Sequence, residues 1–315
     1  MTYIWPQDVF LAIEKGEISA NQALETLQSM DNTTRPCTKV KDGQKRIEDI
    51  LHELDDLIGL SEVKKTVREV YAFIEIQRRR KAEQLNTEPL VLHMIFKGNP
   101  GTGKTTVARI MSQFFCEIGV LTRGHLIEVE RADLVGEYIG HTAQKTREQL
   151  KKAYGGILFI DEAYSLARGG EKDFGKESID VLVKAMEDHK NDLILILAGY
   201  QKEMEFFLET NPGLRSRFPI HIDFPDYNQQ ELLHIAEQMF AHRQYSISVP
   251  AQSALLNLLL SHQNRSRDNF GNARTVRNII EKSIRRQAVR LIAQPSTTRQ
   301  ELMFIEPEDL WEAKE

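Results

Sequence analysis

Cysteine is almost missing from this chain. Of 315 residues only Cys37 and Cys116 are cysteines, and neither sits in a CxxC or Cys/His spacing. That excludes a disulfide-dense scaffold and a zinc finger, and it makes reduced thiols the expectation. Long apolar runs are missing too. The longest, such as Leu193–Ala198, fall far short of the roughly twenty residues that span a membrane. An excess of positive charge is also lacking: 41 Lys and Arg face 46 Asp and Glu, for a net charge of −5. Nonspecific nucleic-acid binding as the main activity is therefore disfavoured. No Lys or Arg precedes Lys15, so the basic start of a secretory signal is absent and a cytoplasmic location is expected. Neither an internal repeat nor a low-complexity tract occurs. The remainder, 41% hydrophobic and 28% charged, is ordinary for a globular protein long enough for two domains.

What the chain does contain is a phosphate-binding motif. Gly98-Asn99-Pro100-Gly101-Thr102-Gly103-Lys104-Thr105 matches G-x-x-x-x-G-K-[ST]. The apolar run Val91–Phe96 leads in as a strand, and Thr106–Met111 leads out with helical spacing. A helix N-terminus and its dipole then face the phosphates. The glycines let successive backbone N–H groups curl around an anion. Residues Gly98 to Thr106 are thus expected to hold the nucleotide. Lys104 would reach the β- and γ-phosphates, and the Thr105 hydroxyl would ligate Mg²⁺.

A second element supplies the acids. Gly155–Glu162 is a short apolar run closed by Asp161 and Glu162, the pattern of a buried parallel strand whose carboxyl end faces a ligand crevice. Asp161 is placed to hold Mg²⁺ through water, and Glu162 to orient and polarise the attacking water. A bound cation rationalises two adjacent carboxylates beside a buried strand. Hydrolysis of a nucleoside triphosphate, ATP to ADP, is the expected reaction.

Four regions follow from the patterning. Residues 1–30 read as a short helical pair, with Val9, Phe10 and Ile13 on one helix and Ala23, Leu24 and Leu27 on the next. Residues 31–46 are polar and read as a linker. From 47 to 225 helix and strand alternate, predicting an α/β nucleotide-binding domain on a parallel sheet. Its strands are Val91–Phe96, Leu126–Val129, Ile157–Ile160, Leu193–Ala198 and Ile220–Phe224. From 226 to 315 the strands stop. Asn228 caps a helix to about His242, further helices fit Ser253–His262 and Thr275–Ile292, and a short one follows Pro307. This region reads as a small α-helical lid.

Together these residues resemble an AAA+ ATPase of the CbxX/CfqX group, from about Leu51 onward. The resemblance implies that Ile58 and Gly59, within Asp55–Lys64, touch the adenine base. It implies that Asn211–Phe218 carries an arginine finger acting on the neighbouring subunit, with Arg217 favoured and Arg215 the alternative. A permanently charged planar fork suits developing γ-phosphate charge. Gly271-Asn272-Ala273-Arg274 resembles the lid motif that returns an arginine, Arg274, to the nucleotide of its own chain. Arg277, Arg285, Arg286 and Arg290 read instead as a solvated or subunit-facing surface.

Tyr200 stands where many relatives carry asparagine, and it could place a hydroxyl or merely pack. Tyr138-Ile139-Gly140 resembles the aromatic–aliphatic–Gly loop that lines AAA+ pores, where a tyrosine grips polypeptide without reading its sequence. The resemblance thus implies a homo-oligomeric ring, a hexamer, acting on a protein client. Members of the group serve in Rubisco activation and in spore development, and the overall match favours the latter. An ATP-switched assembly scaffold and a nucleic-acid-handling protein are the other classes.

Overall fold

The computed structural model describes residues 43–87, 90–138, 140–168, 174–190, 192–265, 270–294 and 296–310. The expected helical pair over 1–30, and all but the last residues of the expected linker, lie outside them. Helix α1 (Gly43–Asp56) starts before residue 46, where the linker was expected to end.

After α1 come α2 (Ser61–Ala82), β1 (Met94–Gly98), α3 (Lys104–Glu117), β2 (Leu126–Val129), α4 (Arg131–Leu134) and α5 (His141–Ala153). Then follow β3 (Ile157–Ile160), a 3₁₀ turn (Ala163–Ala167), α6 (Gly175–Asp188), β4 (Ile194–Gly199), α7 (Gln201–Thr210), α8 (Pro212–Arg215) and β5 (Ile220–Phe224). The five strands form one sheet in the order β2-β3-β4-β1-β5, and every pairing is parallel. A parallel sheet covered on both faces needs near-continuous apolar strands, and β3 and β4 are buried at every position.

Strand alternation divides these side chains between two cores. Met94, Phe96, Ile157, Phe159, Ile194 and Ile196 pack with α2, α3 and the C-terminal helices. Ile95, Leu158, Ile160, Leu195 and Leu197 face α5, α6 and α7. Phe96 lies at the centre of the first core, its ring centroid 5.0 Å from Phe224 and 6.4 Å from Phe159.

Beyond β5 lie α9 (Gln229–His242), β6 (Ser246–Ile247), α10 (Val249–Arg265), α11 (Asn272–Ile292), α12 (Arg299–Met303), β7 (Phe304–Ile305) and α13 (Pro307–Leu310). Asn228 caps α9 in a capping box with Glu231. Helices α10 and α11 begin earlier than expected, because Pro250 is tolerated in a first turn and Asn272 adopts the start of α11.

The expectation that strands stop after Asp226 is corrected. Strands β6 and β7 pair in parallel, and Gln287 Nε2 pins the second by donating to the Phe304 carbonyl at 2.8 Å. Two-residue strands carry no readable alternation. One further expectation changes. Arg290 is not solvated: it makes a two-pronged contact with buried Asp309, at 2.9 and 2.8 Å, which raises its pKa further.

Phe96→Ala should lower the unfolding free energy by about 3–5 kcal/mol, the range for emptying a buried aromatic site. Chemical denaturation measures it, and a loss below about 1 kcal/mol would contradict the central placement of this ring.

Candidate active site

The phosphate-binding loop leaves β1 at Gly98 and ends where α3 begins at Lys104. Gly103 precedes the helix with φ 96° and no side chain caps it, so the first N–H groups of α3 find no side-chain acceptor. Gly101 has φ 72°, and a Cβ there would lie 2.4 Å from the Gly271 carbonyl and 2.7 Å from the Arg274 nitrogen. Only glycine lets the loop turn this tightly against the lid. Thr102 is buried, and its hydroxyl donates to the Asn99 carbonyl at 2.8 Å, knitting the loop to itself.

Lys104 Nζ donates to the Gly98 and Asn99 carbonyls, both at 2.8 Å. Burial lowers its pKa to about 8, opposed by Asp161 and Asp226 and assisted by Arg274. Gly98, Pro100, Gly101, Gly103, Lys104, Thr105 and Thr106 border one cleft of about 360 Å³.

Asp161 and Glu162 enter the same cleft from the end of β3. The Asp161 nitrogen donates to the Val129 carbonyl at 3.0 Å, and Asp161 Oδ1 accepts from the Glu162 nitrogen at 3.0 Å. Glu162 has φ 47° and ψ 43°, a left-handed conformation that a glutamate rarely takes. Tyr200 borders the cleft, and its ring sits 5.9 Å from that of Tyr164. Burial, then the Glu162 charge, raises the Tyr164 pKa, so that phenol stays neutral.

Part of the cleft lining is apolar. Ile58 lines it with Leu57 and Leu60. Gly59 is not part of the lining. A Cβ on it would lie 2.5 Å from Glu231 Oε1, so this glycine fits the turn against α9. Tyr227, Ile235, Gln238 and Met239 also line the cleft, and sequence reasoning missed all four. The Asn228 capping box fixed the start of α9, but which of its faces meets the cleft depends on how the lid packs. From α11, Arg274 and Arg277 both line the cleft, and both are exposed.

Arg217 and Arg215 do not border the cleft of their own chain. The Arg217 guanidinium donates to Glu187 Oε1 at 2.5 and 3.2 Å and to the Gly213 carbonyl at 2.8 Å. Arg215 is exposed. Tyr138 is 65% exposed and makes an edge contact with His141, at 5.4 Å between centroids. Two residues on, Gly140 has φ 85° and a Cβ there would meet nothing within 4 Å. Ile139 lies outside the described residues.

Two tests follow from Lys104. Lys104→Ala should abolish Mg²⁺-ATP binding in calorimetry, and affinity matching the parent would contradict the phosphate role. The parent's affinity should also fall by about tenfold between pH 7 and pH 9, since phosphates need the charged ammonium and the free side chain loses its proton near pH 8. A flat profile would count against that coupling.

Comparison with known proteins agrees with this architecture. Residues 94–226 match the ATPase family associated with various cellular activities (AAA), and residues 228–315 match the AAA lid domain. The chain is 55% identical over 265 residues to stage V sporulation protein K of Bacillus subtilis (strain 168), covering 84% of this chain and 82% of that one. It is 42% identical over 293 residues to the chloroplastic ribulose bisphosphate carboxylase/oxygenase activase of Cyanidioschyzon merolae, covering 92% and 99%. The RuvB Holliday junction branch migration motor of Thermotoga maritima superposes with TM-score 0.55 at 23% identity, over 82% of this chain and 69% of that one. That likeness speaks for the fold alone. With its catalytic domain and its lid both matched, this chain belongs to the AAA+ ATPases.

Proposed function

We propose that the chain forms a ring, a hexamer, in which each subunit completes its neighbour's active site and uses ATP hydrolysis to remodel a protein partner. The observation that carries this reading is the separation of Arg217 from the cleft its own chain builds. Lys104 and Arg274 supply positive charge from within. Arg217 stands elsewhere, on a surface loop between α8 and β5, and a closed ring lets every copy give one finger and receive one.

Within the proposed site, the uncapped N–H groups of the loop and the Lys104 ammonium hold the phosphates. Asn99 and Thr102 brace the loop. Thr105 would hold Mg²⁺ directly and Asp161 through water, an all-oxygen pair that suits this hard cation. When bound, the ion supplies positive charge at the phosphate oxygens. Glu162 orients and polarises the attacking water. Ile58, on a turn set by Gly59, borders the base, and Arg274 draws the lid toward the phosphates.

Tyr138, Ile139 and Gly140 form the client-gripping loop. The exposure of Tyr138 and the open space around Gly140 support a surface that engages something outside the domain. Identity to the sporulation protein supports a role in spore development. Similarity to the chloroplastic activase supports a second reading, a Rubisco-activase-like remodeller. ATPase stimulation by purified Rubisco would favour the second.

Glu162→Gln should bind ATP normally and lose at least about a hundredfold in turnover, the minimum usually supplied by a positioned base. It should also hold its client stably. Turnover near the parent rate, or loss of ATP binding, would contradict the assigned role. Tyr138→Ala should keep basal ATP hydrolysis while losing client remodelling. Remodelling at the parent rate would reduce Tyr138 to a packing residue.

A further inference from the structure

One hydrogen-bonded network ties the phosphate-binding loop to the lid without passing through Arg274. At its centre is Asp226, at the junction of the two domains. Asn99 Nδ2, in the loop, donates to both Asp226 carboxylate oxygens at 3.0 Å. Asn272 Nδ2, in the lid, donates to Asp226 Oδ1 at 2.7 Å. The same amide lies 3.0 Å from the Phe270 carbonyl and 3.4 Å from the Pro100 carbonyl, and its oxygen accepts from the Tyr227 nitrogen at 3.0 Å.

Asn272 is built for this place. It is fully buried at 0% exposure, and its φ of 43° is left-handed, a conformation that asparagine tolerates better than most residues. It is also the first residue of α11. A shift of its amide therefore moves the start of the long lid helix, with Arg274 two residues further on. Its neighbour Ala273 donates its N–H to the Gly101 carbonyl at 3.2 Å.

The loop end of the network is where phosphate acts. Lys104 Nζ rests on the Asn99 carbonyl. An arriving polyphosphate competes for that ammonium, and Asn99 is the residue whose side chain holds Asp226. Asp226 itself is exposed, but the Asn272 amide is buried and has no solvent to turn to, so loosening one of its bonds is felt at the others. An apolar junction would hold the domains together without that sensitivity.

We propose that Asp226 and Asn272 are positioning residues that transmit occupancy of the phosphate-binding loop to the lid, setting its position for hydrolysis. The proposal rests on the nucleotide site alone and is independent of ring formation and of Arg217.

The test is amide hydrogen exchange on the full chain, free and saturated with ADP or a nonhydrolysable ATP analogue. In the parent, nucleotide should protect both the loop, 98–106, and the lid segment 270–292. In Asn272→Ala, loop protection should persist while lid protection is lost. Steady-state kinetics should show kcat falling about tenfold, or ~1.4 kcal/mol of transition-state stabilisation, with KM for ATP little changed. Asp226→Asn keeps the volume and serves if Asn272→Ala does not fold. The double variant Asp226→Asn/Asn272→Asp restores a donor–acceptor pair of reversed polarity and should recover part of the lid protection. Parent-like lid protection in the single variants would overturn the proposal. Joint loss of loop and lid protection would overturn it too, by making these residues mere parts of the binding pocket.

Discussion

An anion cradle needs backbone N–H groups that have no partner of their own, and such groups persist only where the surrounding backbone cannot move to satisfy them. Here β1 provides the anchor. It is paired on one side with β4 and on the other with β5, and its side chains reach into both cores. The loop is held from the other side as well. The Tyr227 hydroxyl donates to the Thr102 carbonyl at 3.1 Å, and Ala273 donates to that of Gly101. The cradle is therefore the joint product of two domains. Whatever binds in it bears on both.

Charge in the cleft is mixed, with Lys104, Arg274 and Arg277 lining it alongside Asp161 and Glu162. Burial makes Lys104 hold its proton less tightly, and Asp161 and Asp226 oppose that effect. The pair Arg217–Glu187 is a different case. With 35% of one side chain and 62% of the other exposed, it is an ordinary surface ion pair. Such pairs contribute about 0.2–1 kcal/mol, so Glu187 can orient the guanidinium and still release it to a stronger anion.

Much of this was legible in the sequence, for identifiable reasons. The strands ending at Gly98, Val129, Ile160, Gly199 and Phe224 could be read because each is a short apolar run beside a polar turn. The residues of the phosphate loop and the two carboxylates could be read because local spacing encodes them. Features created by packing could not. Gln238 and Met239 become pocket residues only when α9 lies over the turn at Ile58. Asp226 and Asn272, 46 residues apart, meet only because the lid folds back. Arg290 looked solvated because its partner Asp309 lies on another element, and two-residue strands are below what alternation can reveal.

If hydrolysis belongs to a joint between subunits, two inactive variants should repair each other. Arg217→Ala keeps Glu162, the proposed water-activating group, and Glu162→Gln keeps Arg217, the proposed finger. The decisive measurement is the ATPase rate of rings assembled from both, with mixing verified by mass spectrometry of intact assemblies. Activity well above either variant alone, rising with the fraction of mixed joints, is the predicted result. No recovery in verified mixed rings would contradict a finger acting between subunits at Arg217.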